Sequence, residues 1–228
     1  MVRRETTGVI LVGAGQSVRM GGIDKIFAPL GEMPILLHSL IRFQEHPNID
    51  HISLVLSSDS VDRGSELVRE NNLHKVCSVT TGGPRRQDSV RIGLSKLSAC
   101  SLILVHDVAR PLIETDLISR GLGAVLVTGV AAPVLPISDT VTSVDSDGNF
   151  KNGIVDRKMF RLVQTPQVFK RGILERAHNE ILQTVTDDAT MSQLIGIKTE
   201  SFEGSRLNFK ITVPEDLIIA RALLPFTT

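Results

Sequence analysis

GVILVGAG, at residues 8–15, is the stretch that decides the fold. An apolar run of strand length ends there in a turn of glycine and alanine, a pattern typical of the first strand and turn of an α/β protein. Further apolar runs of similar length are predicted to be strands, and they lie at 51–58, 75–83, 101–107, 124–130 and 131–138.

Stretches with helical spacing lie between the first of these runs. Apolar side chains recur on one helical face at 35–43 and at 90–97. Near the C-terminus, Pro214 stands where a first helical residue is favoured, and the predicted closing helix runs through Leu224. Because helices that connect parallel strands must cover both faces of the sheet, the sequence predicts an α/β fold with a mostly parallel, twisted sheet.

The alternation of strands and helices fails at about 137–160. Polar and apolar residues alternate there around Asp147 and Gly148, which predicts a β-hairpin. A protruding hairpin exposes strand edges that proteins usually cover. We therefore expect residues 1–228 to form a single domain whose β-arm packs against a second subunit, giving a homodimer.

Composition excludes several classes of protein. The 228 residues include 25 basic and 25 acidic side chains, so no broad positive field is available to hold nucleic acid or an anionic membrane. Cys77 and Cys100 lack the spacing of a zinc module or a disulfide framework. The apolar run near the N-terminus is too short for a signal segment or a membrane span, which predicts a cytoplasmic protein.

The glycine turn after the first strand is a candidate phosphate site. Gly13, Ala14 and Gly15 are small enough for their backbone N–H groups to approach an anion, and Arg19 and Lys25 follow closely. Two cations beside such a turn suit a nucleoside triphosphate. The turn is neither a Walker loop nor a complete dinucleotide fingerprint, and a tight structural turn with a solvated arginine is the alternative.

The segment VHDVARP, at 105–111, places chemistry at the end of a very apolar strand. Ligands bind at the carboxyl ends of strands in open α/β sheets. Asp107 is therefore a candidate ligand for Mg²⁺, and Arg110, three residues on, is expected to grip a second phosphate in a forked contact. For His106 a core histidine is favoured over a catalytic base, and Asp107 could instead cap the next turn.

Other polar clusters are individually weak signals. Gly83 and Ser89 belong to a glycine turn that leads into a helix and could present backbone groups to a base edge. Thr140 and Arg157 stand at opposite ends of the predicted hairpin, and Lys210 lies near the C-terminus. Spacing alone favours a solvated charge for the last two.

Taken in order, seven sequence blocks resemble the 2-C-methyl-D-erythritol 4-phosphate cytidylyltransferases of the non-mevalonate isoprenoid pathway. The resemblance covers nearly the whole chain, and HDxARP, QTPQxF and NxKIT in this order are specific to that family and its ribitol 5-phosphate relatives. It implies a three-layer Rossmann-like nucleotidyltransferase fold. The blocks are GAGQSVRM with Lys25, GGPRRQDSV, VHDVARPLI, LPISDT, LVQTPQVF, TDDATM and GSRLNFKITVPEDL.

The resemblance also implies roles for individual residues. The residues that would bind CTP are Gly13, Ala14, Gly15, Gly83, Ser89 and Asp107, with Mg²⁺ on Asp107. The catalytic cations would be Arg19, Lys25 and Lys210. The methylerythritol phosphate would be held by Arg110, Thr140, Arg157 and Lys210. Thr140 and Arg157 would reach in from the partner's arm, so each site is shared across a dimer. Ser17, Asp24 and Pro84 depart from the family pattern.

The implied reaction needs no protein base. The acceptor phosphate is already ionised at neutral pH, so the protein has to overcome repulsion between two anions and to stabilise charge in the transition state. Three other interpretations stay open. They are a cytidylyltransferase for ribitol 5-phosphate, a sugar-1-phosphate transferase that uses UTP or GTP, and a nucleotide-binding module without turnover.

Overall fold

The computed structural model describes residues 5–15, 25–151 and 153–226. Its strands are Thr7–Gly13 (β1), Pro29–Leu30 (β2), Met33–Pro34 (β3), His51–Leu56 (β4), Val76–Thr81 (β5), Leu102–Asp107 (β6), Val130–Pro136 (β7), Arg161–Val163 (β8), Gln167–Lys170 (β9) and Glu200–Glu203 (β10). Its α-helices are Ile35–Glu45 (α1), Val61–Glu70 (α2), Arg86–Ser95 (α3), Thr115–Thr128 (α4), Arg171–Glu180 (α5), Asp188–Leu194 (α6) and Pro214–Leu223 (α7). None of the described helices is long and apolar enough to cross a membrane.

The main sheet has the strand order β10, β7, β9, β6, β1, β4, β5, with β8 paired to β7. β1 lies between β4 and β6 and is parallel to both, and β5 continues the parallel arrangement beyond β4. β9 runs antiparallel to β6 and β7, while β2 and β3 form a separate antiparallel pair. The predicted α/β class with a mostly parallel sheet is confirmed.

Helices cover both faces of this sheet, as side-chain alternation along β1 requires. Val9 and Leu11 point to one face and pack in a core with residues of α1 and α4. Ile10 points to the other face and packs with residues of α3 and α5. All three β1 side chains are fully buried. The predicted three-layer arrangement is therefore confirmed.

The strand register brings the polar loops to one edge. Within the parallel part of the sheet, Val12 lies opposite Asp107 and Gly13 lies opposite Leu56. Leu56 in turn lies opposite Thr81. Because these strands run in the same direction, the loops that follow β1, β5 and β6 leave the sheet side by side.

The prediction of a strand at 124–130 is wrong for most of its length, since α4 extends to residue 128. Val125 is fully buried, whereas Leu126 and Val127 are 61% and 71% exposed, and a strand would place Val125 and Val127 on the same face. Gly129, with φ of 86°, ends the helix in the left-handed conformation. β7 begins only at the next residue.

The predicted hairpin at 137–160 is regular only at its base and tip. At the base, β7 and β8 pair antiparallel. At the tip, an isolated antiparallel bridge joins Val144 to Phe150, and Gly148, with φ of 86°, lies in the turn. The described residues between base and tip form loops and a short 3-10 helix at Arg157–Met159.

Candidate active site

Two adjoining cavities open at the edge where the parallel strands end. The larger has a volume of about 560 Å³ and is lined by both glycine turns, and the smaller has a volume of about 230 Å³. Arg86, Asp107 and Lys210 line both cavities. These three side chains therefore stand where ligands in the two cavities would meet.

The first glycine turn forms one wall of the larger cavity. Gly13, Ala14 and Gly15 line it together with Lys25, whose ammonium donates to the carbonyl oxygen of Ile211 at 3.1 Å. The structure thus brings the predicted turn and one predicted cation together. The prediction for Arg19 lies outside the described residues, as do the departures at Ser17 and Asp24.

The second glycine turn packs against the first and also lines the larger cavity. A Cβ atom on Gly82 would lie 2.4 Å from the Cβ of Ala14, so the two turns approach too closely for any side chain there. The backbone N–H of Gly83 donates to Ser89 Oγ at 3.1 Å. Gly83 and Ser89 both line the cavity, as does Pro84.

Asp107 is the centre of the charge arrangement. Its Oδ1 accepts from Arg86 Nε at 3.2 Å, and its Oδ2 accepts from Lys210 Nζ at 2.7 Å. Burial alone would raise the pKa of Asp107, but Arg86 and Lys210 together hold it well below the ordinary aspartate value. The carboxylate is therefore ionised at neutral pH.

The phosphate role of Arg110 stays a prediction, and among the described residues its side chain makes no direct contact with Asp107. Arg110 Nη1 instead donates to the carbonyl oxygen of Asn208 at 2.8 Å. Burial lowers the pKa of Arg110, with the charge of Asp107 acting against this. Arg110 lines the smaller cavity, and among the described residues its buried Nε has no hydrogen-bond acceptor.

Backbone contacts explain how Lys210 reaches a carboxylate far away in sequence. Ile211 N donates to the Ala109 carbonyl at 2.8 Å, and Arg110 ties down the Asn208 carbonyl on the other side of the lysine. The segment around Lys210 therefore lies along the residues that follow β6. Sequence spacing gives no sign of this pairing.

His106 is a core residue, as expected. Asp107 N donates to Thr165 Oγ1 at 3.1 Å, the Thr165 hydroxyl contacts His106 Nδ1 at 3.1 Å, and His106 Nε2 contacts the Arg110 carbonyl at 3.2 Å. A neutral ring that donates from Nε2 to the carbonyl and accepts at Nδ1 from the hydroxyl satisfies these contacts. Burial lowers the pKa of His106 to about 3. Its function is to fix the backbone around Asp107 and Arg110.

Thr140 and Arg157 are not brought to either cavity of their own chain. Both are exposed on the β-arm, where the Arg157 guanidinium donates to the carbonyl oxygen of Ser138. Their predicted site roles remain predictions that depend on a second subunit.

Sequence reasoning missed Arg86. Besides Asp107, it contacts Asp188, whose Oδ2 lies 2.6 Å from Arg86 Nη1. Burial acts to lower the pKa of Arg86, but the two carboxylates raise it above the ordinary arginine value. The available signal was its place directly after a glycine turn, in GGPRR, where the next helix begins.

A metal ion would find one carboxylate here rather than a protein cage. Among the described residues, no group of three or more histidine, cysteine, aspartate or glutamate side chains could hold a metal. Mg²⁺ is often held by one or two carboxylates plus substrate phosphates. The Asp107 carboxylate supplies oxygen ligands of that kind, and an ion there would compete with Arg86 and Lys210 for them.

Known proteins of one family match nearly the whole chain. The family model for 2-C-methyl-D-erythritol 4-phosphate cytidylyltransferase matches residues 7–225. A relative of that name from Dehalococcoides mccartyi is 42% identical over 224 residues, which are 98% of each chain. Another from Clostridium botulinum is 38% identical over 221 residues, covering 95% of this chain and 96% of that one.

Solved structures agree as well. The crystal structure of the Thermus thermophilus enzyme of that name superposes with a TM-score of 0.79 at 31% identity, over 97% of this chain and 99% of that chain. A synthase of 4-diphosphocytidyl-2C-methyl-D-erythritol from Anaerococcus prevotii gives a TM-score of 0.84 at 25% identity, over 98% of both chains. The chain therefore belongs to the 2-C-methyl-D-erythritol 4-phosphate cytidylyltransferase family.

Proposed function

We propose that the chain transfers the cytidylyl group of CTP to 2-C-methyl-D-erythritol 4-phosphate and releases pyrophosphate. The observation that carries this proposal is the convergence of Lys25, Arg86, Arg110 and Lys210 on two adjoining cavities around Asp107. An otherwise neutral chain gathers positive charge at one place. Two substrates that each carry phosphate need such a place in order to react.

The larger cavity is assigned to CTP. Gly13, Ala14 and Gly15 offer backbone N–H groups to its phosphates, and Gly83 and Ser89 border the base. Lys25 lines this cavity and, with Arg19, is assigned to the triphosphate and the leaving pyrophosphate. The volume of about 560 Å³ lies within the range of small-molecule sites.

The smaller cavity is assigned to the acceptor. Arg110 and Lys210 line it and would orient the acceptor phosphate. An oxygen of that phosphate attacks the α-phosphorus of CTP, and the bond to the pyrophosphate oxygen breaks on the opposite side. No proton has to be removed from the attacking oxygen, which agrees with a His106 ring engaged in internal hydrogen bonds.

Mg²⁺ is proposed as the cofactor, with Asp107 as its protein ligand. When bound, the ion supplies positive charge to the phosphate oxygens of the nucleotide. Among the described side chains, Lys25 and Lys210 neutralise phosphate charge, and Arg86 holds the Asp107 carboxylate.

A homodimer through the β-arm completes the proposal. Phe150, Ile154 and Met159 on the arm are 79%, 101% and 80% exposed, and exposed apolar groups clustered on one protrusion mark an interaction surface. In a dimer, Thr140 and Arg157 of one arm would contact the acceptor in the partner's site. The cytoplasmic location stays a prediction for cell fractionation.

Mixing two inactive variants tests the shared site. Arg157→Ala damages the arm and Lys25→Ala damages the pocket, so a mixed dimer contains one intact site. Unfolding and refolding the two together should restore about a quarter of wild-type activity, since about half of the dimers are mixed and each has one good site of two. A strict monomer in sedimentation, or no recovery on mixing, would overturn the dimer proposal.

Pyrophosphate release tests the reaction itself. The protein is assayed with CTP, UTP, GTP and ATP against 2-C-methyl-D-erythritol 4-phosphate and ribitol 5-phosphate, with and without Mg²⁺. We expect release only with CTP, the methylerythritol acceptor and Mg²⁺. Preference for ribitol 5-phosphate, preference for UTP or GTP, or CTP binding without release would each support one of the rival interpretations instead.

A further inference from the structure

A buried chain of polar contacts runs behind the active site. His178 Nε2 lies 2.9 Å from Asp188 Oδ1, and Asp188 Oδ2 accepts from Arg86 Nη1 at 2.6 Å. Arg86 Nε then reaches Asp107, which also holds Lys210. These polar contacts join α5, α6 and α3 to the end of β6.

We propose that His178 is a positioning residue, which acts through Asp188 to hold Arg86 in the orientation that serves the two cavities. The inference rests on the proposed function, because it assumes that the cavities hold phosphate groups. His178 itself lines neither cavity. It is therefore assigned no contact with substrate.

Hydrogen-bond geometry supports this role. A guanidinium is planar, so contacts from Nη1 and from Nε to two different carboxylates fix both its plane and its direction. Contacts to both of its oxygens fix the direction of the Asp188 carboxylate. Arg86 holds one of them and His178 holds the other.

Burial makes the histidine hard to replace. The side chains of His178 and Asp188 are each 1% exposed, so water cannot easily supply a missing donor to the carboxylate. Since an ionised carboxylate only accepts, the proton of the contact lies on His178 Nε2. Among the described residues His178 Nδ1 has no partner, so the contact with Asp188 is its side chain's polar interaction.

Charge balance points the same way. Burial alone would raise the pKa of Asp188, but Arg86 and His178 together lower it below the ordinary aspartate value. The ionised Asp188 balances the positive charge of Arg86 independently of Asp107. Arg86 can therefore remain in place when ligands compete for Asp107.

The test compares two substitutions of His178 with a control on α3 that contacts the backbone of the same residue. His178→Leu keeps bulk but removes the donor, whereas His178→Gln places an amide Nε2 at the same number of bonds from the backbone. Arg91→Met is the control, because Arg91 Nη2 donates to the His178 carbonyl at 2.8 Å. This substitution therefore weakens the contact between α3 and α5 and leaves the buried side-chain contacts of His178 and Asp188 in place.

We expect His178→Leu to lower kcat about tenfold, because misplacing a group beside the reacting phosphates acts on the chemical step, and to raise KM for CTP about fivefold, in line with weaker pyrophosphate binding. His178→Gln should recover most of that loss, and Arg91→Met should leave kcat within about twofold of wild type. In an Arg86→Lys background, His178→Leu should have little further effect, since coupled residues are not additive. Circular dichroism at the assay temperature corrects each rate for the folded fraction.

Binding of inorganic pyrophosphate gives a second measurement that needs no turnover. By calorimetry, His178→Leu should weaken it at least about fivefold and His178→Gln should restore it. Equal losses in the Leu and Gln variants, full additivity with Arg86→Lys, or unchanged pyrophosphate affinity would overturn the positioning role. If wild-type protein releases no pyrophosphate from any substrate pair, the proposed function fails, and the calorimetry still decides the role of His178.

Discussion

Lys210→Met is the most informative single substitution, because its effects on stability and on catalysis should differ widely. Lys210 Nζ lies 2.7 Å from Asp107 Oδ2, and the lysine side chain is 39% exposed. Asp107 is buried, but the lysine end of the pair is partly solvated, so losing the lysine should cost about 1 kcal/mol of the free energy of unfolding. Arg86 still holds the other oxygen of Asp107. The melting temperature should therefore fall by no more than about 2–4 °C.

Catalysis should suffer much more from the same change. In the transition state the lysine faces phosphate charge in a cleft, where losing one preorganised contact costs about 3–4 kcal/mol, or 100- to 1,000-fold in kcat. The assay is steady-state pyrophosphate release, with Lys198→Met as a control at an exposed lysine. A kcat within about threefold of wild type, with only a raised KM, would refute the reasoning, since uniform binding alone would then be lost.

Three further predictions concern other parts of the site. Lys25→Ala should lower kcat by about 100-fold or more in the same assay, and an unchanged kcat would contradict its role. Gly82→Ala places a Cβ 2.4 Å from the Cβ of Ala14. Forcing the two glycine turns apart in this way should raise KM for CTP about tenfold. The control Gly172→Ala, whose Cβ meets nothing within 4 Å, should leave KM unchanged. Burial lowers the pKa of His106 to about 3. Between pH 6.5 and pH 3 the histidine is therefore protonated in the unfolded chain but not in the folded one, and the stabilisation present above pH 6.5 is lost as the pH falls toward 3. The free energy of unfolding of the wild type, measured in urea, should fall by up to about 1.4 kcal/mol per pH unit in this window relative to His106→Gln. An equal pH dependence of the two free energies would contradict that.

Much of the fold could be predicted because local patterns determined it. Continuous apolar runs such as 8–15 and 101–107 are long enough for a strand and are buried on both faces. The run at 124–130 misled because its apolar residues continue α4, and only burial distinguishes Val125 from Leu126. Periodicity over seven residues cannot make that distinction.

Prediction of the candidate site from the sequence was most direct where a residue stands beside its own strand end. Asp107 and the glycine turn satisfy that condition. Arg86, Asp188 and His178 do not, because their contacts join residues that lie far apart in sequence and depend on how α3, α5 and α6 pack. Lys210 was found through resemblance alone, and the tie of its segment to Ala109 is a tertiary contact.

The most direct test of the converging positive charge is titration of 2-C-methyl-D-erythritol 4-phosphate into protein saturated with a non-hydrolysable CTP analogue and Mg²⁺. The structure predicts that both anions occupy one site together, with one acceptor bound per chain and an affinity at least about tenfold weaker in Lys210→Met. Acceptor binding that the analogue abolishes, or that is equally tight in the variant, would contradict this account.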